Sequence, residues 1–259
     1  MNNNDRDVQS PGPRVSLFVT CLADLFRPSV AFASLQLLER AGCDVSVPLK
    51  QTCCGQPAYN AGDFQATIPL AKNVVALLED ADYVVIPSGS CAGMISHHYP
   101  NLLEGEWRER AIAVAAKTFE LTSFLTEVVT LEPGTGANIG QVAYHDSCAG
   151  LRELSIREQP RELLQSLCSA QVSELELRDV CCGFGGTFCA KMPQISSKMT
   201  DDKLKDVLDT GAPLLTGGDL GCLMTIAGRA SRLGQDIEVR HVAELLAGNL
   251  DGPAIGEGD

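Results

Sequence analysis

Apolar residues recur along this chain with two different periods, and the periods alternate. The run 14–20 is rich in strand-forming residues, 28–41 has helical spacing, 44–47 is a short strand, 64–79 is helical, and 83–86 reads as a buried strand. The order then recurs: strand at 141–144, helix at 160–169, strand at 172–177, helix at 194–208, strand at 213–216. Between the halves, 106–129 reads as one long helix, and 132–140, rich in Gly and Pro, as a boundary. Strands alternating with helices imply parallel sheets with right-handed crossovers. The expected fold is α/β: two pseudo-symmetric lobes, each a parallel sheet flanked by helices, related by internal duplication. The expected divisions are a disordered leader at 1–13, a first domain at 14–135, a second at 136–248 and a flexible tail at 249–259.

The cysteines carry the duplication. Cys21, Cys53, Cys54 and Cys91 are followed by Cys148, Cys181, Cys182 and Cys222, with gaps of 32 (21 to 53) and 37 (54 to 91) in the first set against 33 (148 to 181) and 40 (182 to 222) in the second. Both vicinal pairs continue into glycine, Gly55 and Gly183, and Met94 and Met224 follow the last cysteine of each set. Each landmark falls at or after a predicted strand, so the thiols should collect at the carboxyl edge of the sheets, where open α/β folds place their sites.

Composition narrows the chemistry. The 259 residues are 45% hydrophobic and 20% charged, ordinary for a globular chain, while a net charge of −13 with no basic stripe opposes nucleic-acid binding. No stretch approaches the roughly 20 apolar residues of a membrane span, so membrane contact is expected only through partners. The polar start lacks the apolar core of a signal peptide, so a cytoplasmic protein is expected. Eleven cysteines in a reducing compartment point to metal or redox chemistry and away from a disulfide framework.

Two sets of four thiolates suit iron–sulfur clusters, which also need backbone N–H groups near the sulfurs and shelter from water. Helices opening near Cys21, Cys91, Cys148 and Cys222 would turn their positive ends to the thiolates. Gly55, Gly183, Gly185 and Gly186 would let the backbone approach a cofactor with no Cβ in the way. Structural zinc normally uses two Cys-x₂₋₄-Cys knuckles and thiol–disulfide enzymes a Cys-x-x-Cys, neither of which occurs, although both readings remain alternatives. Cys43, Cys168 and Cys189 have no counterpart in the other half and read as packing residues, with Cys189 near enough to the second pair to be a stray ligand. His145 and Asp146, just before Cys148, are candidates for moving a proton or bonding a cluster sulfur. Of His97 and His98 at most one could face the site. Lys191, Arg152 and Arg229 could hold a carboxylate. The Gly-rich run at 183–186 lacks the spacing of a nucleotide loop.

At these residues the sequence resembles the cysteine-rich CCG domain proteins, which include the B chain of heterodisulfide reductase and the C chain of anaerobic glycerol-3-phosphate dehydrogenase. The strings SerLeuPheValThrCys (16–21), GlnThrCysCysGlyGlnProAlaTyrAsn (51–60), ProSerGlySerCysAlaGlyMet (87–94), TyrHisAspSerCys (144–148) and CysCysGlyPheGlyGlyThrPhe (181–188) resemble the lactate utilization protein A family most narrowly. The resemblance implies an oxidoreductase subunit with two four-iron clusters, cubane or non-cubane, in a complex that oxidises L-lactate to pyruvate. It also implies two companion lactate utilization subunits, one of them ferredoxin-like. Heterodisulfide-type disulfide chemistry and a non-catalytic zinc-binding assembly role are the competing readings. The sequence departs from the pattern at Met94 and Met224, where the heterodisulfide reductase protein has a fifth cysteine. It departs again at Ala149, often histidine in relatives, and at Cys189, where serine is expected.

Overall fold

Strand-forming segments in each half pair into a four-stranded, all-parallel sheet, and the two sheets share one strand order. In a computed structural model, which describes residues 12–257, the first sheet runs β2 (Asp44–Ser46), β1 (Arg14–Leu17), β3 (Tyr83–Ile86), β4 (Thr118–Glu120). The second runs β6 (Gln171–Glu174), β5 (Gln141–His145), β7 (Leu214–Gly217), β8 (Glu238–His241). Register is equivalent: Val15 lies opposite Val45 and Tyr83, and Val142 opposite Val172 and Leu214. The α/β class and the duplicated lobes are as the sequence led us to expect. The first sheet falls within 14–135 and the second within 136–248. The leader expected at 1–13 lies almost wholly outside the described residues.

Three expectations need correction. The long helix at 106–129 is a helix (Glu106–Ala115), the strand β4 and a second helix (Leu121–Glu127). The break comes where Lys117 turns its ammonium to the Glu79 and Ala81 carbonyls, and Val84 N donates to Lys117 O at 2.8 Å, drawing the next three residues onto β3. The helical pattern simply continued on both sides of a three-residue strand, too short to show an alternation of its own. Strand β8, its counterpart, was likewise not anticipated. The tail expected to be flexible is held to the second sheet: Ile255 N donates to Val239 O at 2.8 Å, Arg240 reaches Gly252 O at 2.9 Å, and Ala254 and Ile255 are buried.

The lobes are joined by a common core. Val15, Leu17, Leu37 and Leu38 of the first half share one cluster with Val142, Leu164, Val242 and Leu246 of the second. The helix Pro28–Arg40 packs on Val242–Ala247, whose Glu244 accepts from Arg27 Nε at 2.9 Å and Ser29 Oγ at 2.6 Å. Around the pseudo-two-fold axis, the helix opening at Cys21 packs against the helix bearing Cys222, and the helix bearing Cys91 against the one opening at Cys148. All four cysteine helices therefore meet at the carboxyl edges of β1, β3, β5 and β7. No helix among the described residues is long and apolar enough to cross a membrane.

Candidate metal centre

Each cysteine is set by an ordinary local device. Thr20, Ser88 and Ser147 cap the helices that carry Cys21, Cys91 and Cys148, accepting from Ala23 N, Cys91 N and Gly150 N at 3.4, 3.4 and 3.2 Å. The vicinal pairs lie on the loops that follow β2 and β6. There Gly55 (φ +83°) and Gly183 (φ +92°) adopt the left-handed conformation, so their N–H groups point back at Cys53 Sγ and Cys181 Sγ, each at 3.4 Å. A Cβ at Gly183 would lie 2.6 Å from Ser196 O. The carbonyls of Cys54 and Cys182 are pinned by unlike groups in the two lobes, Tyr99 OH at 2.7 Å and Thr200 Oγ1 at 2.9 Å.

All eight cysteines of the two sets line a single cavity of about 250 Å³. Within each set two thiols are buried (Cys54 and Cys91; Cys182 and Cys222) and two are more open (Cys21 and Cys53; Cys148 and Cys181). Cys54 Sγ and Cys91 Sγ are 3.3 Å apart, a contact of free thiols. Hydrogen bonds from Cys21 and Cys54, helped by the Gly55 N–H and opposed by burial, hold Cys53 down at about 3. Cys148 and Cys182 do the same to Cys181, at about 2, while the donating thiols in both sets are raised. Each set thus keeps one thiolate and shares protons among its neighbours. A metal binding all four thiolates must expel those protons, so its affinity rises with pH.

This donor set suits a thiolate-bound metal or an iron–sulfur centre. Four sulfurs converge in each lobe, and backbone N–H groups point at two of them. No lysine or arginine among the described residues lines the cavity. Gly185 and Gly186 border the cavity directly, whereas Gly55 and Gly183 act through their N–H groups behind the sulfurs. Met94 is fully buried in the first-lobe core and neither methionine lines the cavity.

The remaining candidates divide. His145 ends β5 and is 1% exposed; it does not itself line the cavity, but one ring nitrogen lies within 4.8 Å of both Cys182 Sγ and Cys222 Sγ. Burial, with Lys203 nearby, pushes its pKa down to about 3, so the imidazole is neutral at pH 7. Asp146 faces the other way, its two oxygens held by Arg161 Nη1 and Nη2 at 2.9 and 2.8 Å. His98 stacks on Tyr59 and lies 3.3 Å from Glu153, and His97 hydrogen-bonds Ser96; neither lines the cavity. Arg152 donates to Asp179 O and Arg229 pairs with Asp201. Neither they nor Lys191 line the cavity. Cys189 donates to Gly186 O at 3.3 Å and does not line the cavity; Cys43 and Cys168 are core residues.

Two residues escaped the sequence reading, one lining the cavity and one buried outside its lining. Asp219 occupies the position before Cys222 that Ser88 occupies before Cys91, yet it makes no cap for its own helix. It crosses to the first lobe and accepts from Ser88 Oγ and Ser90 Oγ, both at 2.6 Å, and from Ser90 N at 3.2 Å. The equivalent spacing from each final cysteine was the available signal. Glu120, at the end of β4, caps the next helix through Oε2 and leaves Oε1 buried without a partner. Burial raises its pKa from 4.5 to about 7. Stability from such a carboxyl is fully present below its unfolded value and is lost as pH rises through about 7. Glu120→Gln should therefore be nearly neutral at pH 4 and stabilising by roughly 1–3 kcal/mol at pH 8, read from urea midpoints at the two pH values.

The cysteine-rich CCG domain matches twice, over residues 15–96 and 142–227, once on each sheet with its four thiols. Lactate utilization protein A of Halalkalibacterium halodurans is 46% identical over 235 residues, covering 90% of this chain and 96% of that protein. The chain belongs to the lactate utilization protein A family. Members from Geobacillus thermodenitrificans and Shouchella clausii are 46% and 47% identical, each with 90% of this chain and 98% of the relative covered. A solved structure described as a hypothetical protein from Helicobacter pylori superposes with a TM-score of 0.63 at 11% identity, over 94% of this chain and 50% of that one. At that identity the likeness speaks for the fold alone, and this family member spans half the length of that chain.

Proposed function

We propose that this chain is the iron–sulfur subunit of a cytoplasmic complex that oxidises L-lactate to pyruvate, with one four-iron cluster on each cysteine set. The observation that carries the reading is the convergence of eight free thiols, in two equivalent sets, on one cavity in a chain whose relatives are named for lactate utilization. Cys21, Cys53, Cys54 and Cys91 would hold one cluster, and Cys148, Cys181, Cys182 and Cys222 the other. When bound, the clusters supply one-electron chemistry. The protein's own part is to gather the thiolates, direct the Gly55 and Gly183 N–H groups at two of them and bury half of each set. A carboxylate entering the cavity meets no cationic side chain among the described residues. This favours electron relay here and lactate oxidation on companion subunits, a ferredoxin-like one and a third.

Anaerobic purification followed by iron, sulfide and zinc analysis tests the reading. About eight irons per chain with matching sulfide are expected, together with lactate-dependent reduction in the assembled complex. Stoichiometric zinc without sulfide would replace it with a structural zinc-binding role. The shared cavity also gives a disulfide substrate access to both sets, as in heterodisulfide-type chemistry. Turnover of a disulfide with no response to lactate would favour that second reading.

A further inference from the structure

The two cysteine sets are equivalent in sulfur but not in what stands behind the sulfur. His145 lies three residues before Cys148, at the end of β5; the residue three before Cys21, at the end of β1, is Phe18. Both side chains are about 1% exposed. Neither ring nitrogen of His145 has a hydrogen-bond partner. A histidine buried for packing alone would place a nitrogen on a carbonyl or hydroxyl, because a polar group left without a hydrogen bond in the interior is costly. Here one nitrogen lies within 4.8 Å of the donor atoms of Cys182 and Cys222. Imidazole is an established iron donor beside thiolate.

We propose that His145 is a nitrogen ligand to the iron centre of the second cysteine set, beside Cys182 and Cys222, so that the two centres are chemically unlike: thiolate alone in the first lobe, thiolate and imidazole in the second. This rests on the iron–sulfur reading above. A neutral nitrogen adds no negative charge to the anionic group, and Lys203, wholly buried and held by Leu177 O and Asp206, lies on the same side. The helix burial patterns at 67, 71, 74, 75, 78 and at 196, 200, 203, 204, 207 place Val74 opposite Lys203. Phe18 and Val74, which share a core cluster with Cys54 and Cys91, thus occupy the positions that His145 and Lys203 occupy in the second lobe.

The test compares wild-type protein carrying natural-abundance or ¹⁵N-labelled histidine, purified anaerobically and reduced with dithionite, by pulsed electron paramagnetic resonance. Iron and sulfide are measured on the same samples. A strong hyperfine coupling typical of directly bound nitrogen is expected, changing with the isotope, on one of the two centres. His145→Phe, which installs the first-lobe residue, should lose that coupling and shift the midpoint potential of one centre only, with iron retained by the four thiols. Iron present with no coupling, or with only the weak coupling of a hydrogen-bonded imidazole, overturns the assignment and leaves the cluster reading standing. Absence of iron and sulfide overturns both.

Discussion

If each cysteine set holds a four-iron cluster as proposed, Cys54→Ser should remove one centre and leave the other, lowering iron and sulfide from about eight per chain to roughly four. Cys54 is buried beside Cys91, 3.3 Å from its sulfur, with its carbonyl fixed by Tyr99, so a hydroxyl put there has nowhere to move to find the metal. A serine hydroxyl does not ionise as a thiol does, and three thiolates remain. The four thiols of the second set, and His145 beside them, all belong to the second lobe, so that set should keep its signal, while lactate-dependent reduction of the acceptor falls to background. Iron analysis and the number of distinct paramagnetic centres read the result. Loss of both centres would show that the sets do not load independently.

Arg161→Ala should produce the largest loss of stability, about 3–5 kcal/mol, as a lower urea midpoint with unchanged slope. Arg161 grips both oxygens of Asp146, reaches Glu174 from Nε and Nη2 at 2.7 Å, and lies 4.9 Å over the Tyr144 ring. Asp146 has a side chain only 1% exposed, so removing the guanidinium strands a carboxylate in the interior. The variant should still bind iron wherever it is folded, because neither residue lines the cavity. Unchanged stability would mean that water or Tyr144 replaces the pair.

The cysteine pattern made the fold and the centre largely legible. Vicinal pairs at matching gaps, each followed by glycine, announced a repeated unit, and the alternation of strand and helix fixed where its thiols would emerge. The rest depended on contacts between the halves. Edge strands β4 and β8 are three and four residues long and were hidden among helical patterns. His145 and Asp146 could not both face the cysteines, since neighbours along an extended chain point to opposite sides; contacts and not burial separate them, with His145 beside Cys182 and Cys222 and Asp146 held by Arg161. Asp219 reads as a self-cap until the lobes are superposed, because only tertiary packing brings Ser88 and Ser90 to it. Nor does a sequence carry any sign that Leu37 and Leu246 share one core.

Asp219 also sets a schedule. The turn that positions Cys91 is completed by a carboxylate 131 positions further along than Ser88, so on the ribosome that turn lacks one of its partners until most of the chain has emerged. A product truncated between the halves would leave the tunnel exit with its first four thiols in place along the chain but with the Ser88 and Ser90 hydroxyls unanswered.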